Sequence, residues 1–114
     1  MLKSIAVFPS ELKQKEEMAI RITCINKAYG NHLDPHSAIT SLGWQNDGTG
    51  ETGKSTREQI YGWLKHSGGV AYTVDKYGNK AFVYPRENSY GTRFVQTAAD
   101  RVWTDNLLYL PECP

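Results

Sequence analysis

Only two of the 114 residues are cysteine, Cys24 and Cys113. They lie far apart in the chain and make no local disulfide framework, so reduced thiols in a cytosolic protein are the expectation. Long apolar runs are also missing. None approaches the roughly 18 residues that cross a bilayer, and Ser4-Ile5-Ala6-Val7-Phe8, stopped by Pro9, is too short for the apolar part of a secretion signal. Neither sign of charge dominates: 13 Lys and Arg face 12 Asp and Glu, a formal +1. Total charge therefore argues for neither nucleic acid nor a membrane surface. A soluble, cytoplasmic protein is expected.

Aromatic residues, by contrast, are plentiful, with seven Tyr and three Trp. That usage favours a sheet with aromatic cross-strand pairs, or an aromatic contact surface. The length suits one domain with one modest core. Residues 1–17 stand apart, because Leu12-Lys13-Gln14-Lys15-Glu16-Glu17 is a charged run with little to bury. Met18 directly precedes a clear strand, so 1–17 is read as an N-terminal extension, either upstream of the native start or a helix or strand docked on the domain, and 18–114 as the domain.

Gly48-Thr49-Gly50-Glu51-Thr52-Gly53-Lys54-Ser55 fits the phosphate-loop pattern G-x-x-x-x-G-K-[ST]. In that motif backbone N–H groups cradle phosphates, the lysine neutralises them and the hydroxyl holds Mg²⁺. Its context here is wrong. A phosphate loop follows a buried parallel strand, whereas Ser41-Leu42-Gly43-Trp44-Gln45-Asn46-Asp47 is polar and turn-rich. The expected arrangement is a flexible loop ending in a capping box, Ser55-Thr56-Arg57-Glu58. Gly53, Lys54 and Ser55 are kept as a candidate anion site at a helix N-terminus.

The alternation of Ile20, Ile22 and Cys24 with Arg21 and Thr23 predicts a half-buried strand. Ser37 to Trp44 reads as a short strand or a helical turn. A helix is expected from Thr56 to His66, burying Ile60, Trp63 and Leu64. Gly62, unfavourable in mid-helix, is taken to mark close approach to the sheet, and Gly68-Gly69 ends the helix. Val70–Val74 and Lys80–Tyr84 form a hairpin around Asp75-Lys76-Tyr77-Gly78-Asn79. A strand at Thr92–Thr97 follows, and the tail from Trp103 to Pro111 reads as a capped turn folding back. These elements predict an α+β fold: a small, mainly antiparallel sheet of about four strands with one principal helix across a face.

Arg21-Ile22-Thr23-Cys24-Ile25-Asn26-Lys27 and Ser37-Ala38-Ile39-Thr40-Ser41-Leu42-Gly43-Trp44 resemble the opening of a family of small bacterial and viral proteins, domain of unknown function 3892. Its closing signature resembles Val95-Gln96-Thr97-Ala98-Ala99-Asp100, then Trp103-Thr104-Asp105-Asn106-Leu107-Leu108 and Leu110-Pro111-Glu112-Cys113. The resemblance spans Met18 to Cys113 and agrees with a start at Met18. It implies no activity, cofactor or site residue.

Among constellations, His32, His36 and the intervening Asp34 could join Cys24 and Cys113 in a mixed zinc set. Pro35 makes that pair a loop rather than one helix face, so backbone-bonded histidines are the simpler expectation, with no metal and no cofactor. Cys24 reads as a small core residue. No residue set supports nucleophilic or carboxylate catalysis, and an enzyme is not expected. Lys76, Lys80, Arg86, Arg93 and Arg101 interleave with Tyr77, Tyr84, Tyr90 and Phe94, a pattern that can track phosphates and stack bases. The leading expectation is a binding or regulatory protein acting on a protein partner, with Trp44, Tyr90, Arg93 and Trp103 as interaction surface. A nucleic-acid module and a phosphate ligand at Gly48–Ser55 are the alternatives, and self-association is compatible with each.

Overall fold

The computed structural model describes residues 19–28 and 35–114. Strand β1 (Ile20–Lys27) leads, after a 3-10 turn at Pro35–Ala38, to β2 (Ile39–Asn46), β3 (Thr52–Thr56) and helix α1 (Arg57–His66). Then come β4 (Ala71–Val74), β5 (Lys80–Glu87), β6 (Arg93–Ala99), β7 (Val102–Thr104) and a last 3-10 turn, Asn106–Tyr109. All seven strands join one sheet in the order β3-β2-β1-β4-β5-β6-β7. The fold is α+β, but the expected four-stranded, mainly antiparallel sheet is corrected to a seven-stranded mixed one. β1 and β4 run parallel at Ile20–Ala71 and Arg21–Tyr72, and the remaining neighbours are antiparallel.

Alternation decides what each strand buries. β1 turns Ile20, Ile22 and Ile25 into the core, a spacing that needs one extra residue. That residue is Thr23, where the register jumps between Ile22–Trp44 and Cys24–Gly43, a β-bulge. The core adds Leu42 and Trp44 from β2, Ala71, Val83 and Val95 from the later strands, and Ile60, Tyr61 and Trp63 from α1. Leu107, on the last 3-10 turn, belongs to the same cluster and is fully buried.

The helix begins one residue later than expected. Thr56, not Ser55, is the N-cap: its hydroxyl accepts the Gln59 N–H at 3.1 Å, and the Gln59 side chain accepts the Thr56 N–H at 2.9 Å. Ser55 lies inside β3, where its hydroxyl accepts the Trp44 indole N–H at 3.0 Å. Gly62 does not mark a close approach, since a Cβ there would meet nothing within 4 Å. The close approaches are Gly53 beneath the Trp44 ring and Gly69 beneath the Trp63 ring.

The Asp75 turn takes the expected form. Its carboxylate accepts the backbone N–H groups of Tyr77 (2.8 Å) and Asn79 (2.9 Å), and Gly78 supplies the positive φ of 86°. Bonding to backbone N–H, that of Asn79 first, holds the Asp75 carboxyl below the usual aspartate range.

The cysteines depart from expectation. Cys24 and Cys113 form a disulfide across a sequence separation of 89. Backbone bonds reinforce it, Ile25 N–H to Pro111 O and Cys113 N–H to Ile25 O, both 3.0 Å. β4 pairs with β1 only at its start, so the C-terminal segment occupies the edge of β1 beyond it, with a parallel bridge at Ile25–Glu112. Gly43 lies opposite Cys24 in β2. A Cβ at Gly43 would collide with Cys24 Sγ and sit 3.1 Å from Cys113 Sγ, so this glycine makes the space for the bridge.

From β4 the Tyr72 hydroxyl reaches past β1 and donates to the carboxylate of Asp47, just after β2, with oxygen separations of 2.7 and 2.9 Å. Burial, then the Asp47 hydrogen bond and charge, pushes the Tyr72 hydroxyl above the usual tyrosine range. The neutral hydroxyl is thus favoured in the folded state. Its contribution is complete below the ordinary value of about 10 and is lost as pH rises past it. Stability measured by denaturant titration is expected to fall as pH climbs above about 10, and Tyr72→Phe to flatten that part of the profile. An equally steep fall in Tyr72→Phe would show that another group is responsible.

Candidate functional site

In β5 the residues Lys80, Phe82, Tyr84 and Arg86 alternate with Ala81, Val83 and Pro85, of which Ala81 and Val83 are buried. The odd-numbered set faces the core with Val95 and Thr97 of β6, and the even-numbered set faces the other way. On that outer face the partners run Phe82–Ala98–Trp103, Tyr84–Gln96 and Arg86–Phe94 across β5, β6 and β7. Ala98 is small between two large neighbours. The result is an open trough of about 900 Å³, floored by Ala98 and Ala99, walled by Phe82, Tyr84 and Trp103, and rimmed by Lys80, Asp100 and Arg101.

Large aromatic side chains are usually covered, yet Phe82 is 43 %, Tyr84 46 % and Trp103 46 % exposed. They are held in place nonetheless. Tyr84 meets Trp103 edge-on, ring centres 6.2 Å apart. The Arg86 guanidinium lies 4.2 Å over the Trp103 ring and donates to Gln96 Oε1 at 2.7 Å. The Gln96 amide in turn donates to the Thr104 carbonyl at 3.2 Å. Lys80 stacks 4.5 Å over Tyr72.

A two-residue turn, Asp100-Arg101, joins β6 to β7, and both residues have positive φ, 53° and 66°. Tight hairpins require this conformation and usually supply it with Asn or Gly. Arginine adopts it at a steric cost of about 1–2 kcal/mol, and the turn places Arg101 on the trough rim.

The residues singled out from sequence fall in several places. Trp103 is in the trough wall. Trp44 is not an exposed anchor: it is 5 % exposed and packs in the core. Tyr90 is exposed in the β5–β6 loop. Arg93 belongs to the core-facing register of β6, 5.7 Å over the Tyr61 ring and 3.6 Å from Glu87. Gly53, Lys54 and Ser55 are strand residues of β3 rather than a loop, and they line an open cleft of about 690 Å³ with Trp44, Trp63 and Gly62. Ser55 already serves Trp44.

His32 and Asp34 lie outside the described residues. His36 is buried, 3.9 Å from an Asp105 oxygen and tilted against Phe94, ring centres 6.3 Å apart. Among the described residues no group of three His, Cys, Asp or Glu is placed to hold a metal ion. The proposed thiol ligands Cys24 and Cys113 are bonded to each other. Sequence reasoning missed Phe82 and Ala98 as site residues. The signal was present in the large-small-large sequence across three strands, but it requires the β6–β7 register, and β7 was not foreseen.

Fold and site together define a class: a small α+β protein whose sheet presents an ordered aromatic trough with a largely basic rim. The chain belongs to the family described as "Protein of unknown function (DUF3892)", whose model matches residues 21–111. No curated protein and no solved structure matches it. No helix among the described residues is long and apolar enough to cross a membrane.

Proposed function

We propose that this chain is a non-enzymatic binding protein and that the outer face of β5, β6 and β7 receives a protein partner. The observation that carries the reading is the trough itself: three half-exposed aromatic side chains around the gap at Ala98, Trp103 held by Arg86, Tyr84 by Trp103 and Phe82 by Tyr72. Tyrosine, tryptophan and arginine are the residues in which binding energy concentrates. Rings already ordered lose little freedom on binding. The occupant this geometry suits is an apolar or aromatic side chain filling the gap, on a partner surface with acidic groups opposite Lys80 and Arg101.

A single-stranded nucleic acid is the second reading, favoured by Lys80 and Arg101 beside stackable rings. It is the weaker one. Arg86 is occupied by Trp103 and Gln96, and Asp100 sits on the rim. A cytoplasmic setting would keep Cys24 and Cys113 as thiols. The trough lies beyond β4 from that pair, so the proposed binding does not depend on the bridge.

The test compares wild type with a Tyr84→Ala/Trp103→Ala double variant, immobilised and exposed to extract of the native host. Both side chains are half-exposed, so the fold should persist, as circular dichroism would verify. A host protein retained by wild type and lost from the double variant is expected. Retention by both would place the contact elsewhere. Tight, salt-sensitive binding of a mixed oligonucleotide, lost in the variant, would favour the second reading.

A further inference from the structure

The sheet has two edges, β3 and β7, and they differ. β3 carries Lys54, a charge of the kind that blunts strand pairing, whereas β7 is Val102-Trp103-Thr104, with neither a charge nor a proline. Val102 is 63 % exposed. Among the described residues no strand pairs with the outer side of β7.

The turn fixes which backbone groups that edge offers. A two-residue hairpin makes the flanking residues, Ala99 and Val102, a hydrogen-bonded pair. Bonded and non-bonded pairs alternate along an antiparallel ladder, so Thr97–Thr104 is the next bonded pair and Ala98–Trp103 lies between them. The Trp103 N–H and C=O therefore point away from β6, to the open edge.

We propose that a second copy of this chain pairs with β7 across that edge, antiparallel and centred on Trp103, as a twofold-symmetric dimer. Centring on Trp103 follows from its outward donor and acceptor, since two copies then exchange both bonds. The same register sets Val102 opposite the partner's Thr104 and Arg101 opposite the partner's Asp105. An arginine thus meets an aspartate at each end of the ladder. Asp105 is available for this: its side chain is 58 % exposed, 3.9 Å from the His36 imidazole, and it makes no capping bond to the turn that follows. A self-complementary patch with opposite charges at its two ends is what a twofold contact requires. Two seven-stranded sheets become continuous, with both troughs on one side. The pairing stands independently of what fills the trough.

Sedimentation velocity of the full chain, at concentrations from about 5 µM to about 500 µM, reads the association directly. Wild type should move from monomer toward dimer. Arg101→Asp brings two carboxylates face to face at each end of the ladder, and Asp105→Arg brings two guanidinium groups face to face there. Each variant should weaken dimerisation at least about tenfold, because facing like charges repel. Mixing the two variants restores opposite charges at one end of the ladder in the wild-type sense and, at the other, in the reversed sense. A heterodimer should therefore form at concentrations where neither variant self-associates. Trp103→Pro, which removes the outward donor together with the indole ring but no bond of the β6–β7 ladder, should be monomeric. A wild-type chain that stays monomeric throughout would overturn the proposal. So would a dimer indifferent to both charge changes, or a mixture that gains nothing over its components.

Discussion

Replacing Gly43 with alanine is expected to prevent the Cys24–Cys113 bridge and to lower stability by about as much as deleting both cysteines. The reason is local. Gly43 faces Cys24 across the β1 bulge, and a methyl group there would occupy the space of the Cys24 sulfur and crowd that of Cys113. The bridge closes most of the chain, with a separation of 89 residues. A cross-link of that span stabilises by roughly 3–4 kcal/mol, chiefly by restricting the unfolded chain. In a domain of this size the melting temperature would fall on the order of 15 °C. Thiol titration of the folded, air-oxidised protein checks the cause: Gly43→Ala should show two reactive thiols and wild type none. A Gly43→Ala protein that keeps its bridge and its melting temperature would refute the assigned role of this glycine.

Leu107→Ala should have an effect of similar size by a different route. Leu107 is fully buried in the main cluster although it sits on a four-residue 3-10 turn. Removing its side chain forfeits burial and leaves a cavity, about 3 kcal/mol. The bridge and Leu107 both fasten the C-terminal segment, so their losses should not add. In a Cys24→Ala/Cys113→Ala background the further cost of Leu107→Ala should shrink by about 1 kcal/mol or more, read from urea midpoints. Full additivity would mean that the segment is not held as one unit.

How far the fold could be read from the chain depended on the kind of signal each element carries. Four strands were legible, β1, β4, β5 and β6, because each alternates apolar and polar residues or flanks the Asp75 turn. Helix α1 was legible from its stripe of Ile60, Trp63 and Leu64, although its cap falls at Thr56. β3 was hidden by composition. Thr52-Gly53-Lys54-Ser55-Thr56 has the letters of a loop and forms a strand only because β2 pairs with it and Gly53 lets the Trp44 ring approach. β7 is three residues long, too short for any periodicity, and it exists through the strained Asp100-Arg101 turn.

The phosphate-loop pattern shows how one set of letters serves another structure. Ser55 is spent on Trp44, and the capping box ties the Gln59 N–H to the Thr56 hydroxyl and the Thr56 N–H to the Gln59 side chain. The disulfide was illegible for a related reason. Cys24 alternates with core residues, and only the extra residue at Thr23 turns it to the other face, where the C-terminal segment arrives. Exposed Trp103 and buried Trp44 could not be told apart in sequence, because burial there depends on which face of the sheet each ring takes.

The claim that the outer face of β5–β7 is the contact surface is tested most directly by site-specific photo-crosslinking in the native host. A benzophenone amino acid would be placed at Tyr84, in the trough wall, and in a separate protein at Lys65, exposed on α1. Adducts would be identified by mass spectrometry. A discrete adduct to a second protein from position 84, absent from position 65, is the predicted result. Adducts from position 65 with none from position 84 would contradict it and move the functional surface to the helix side of the sheet.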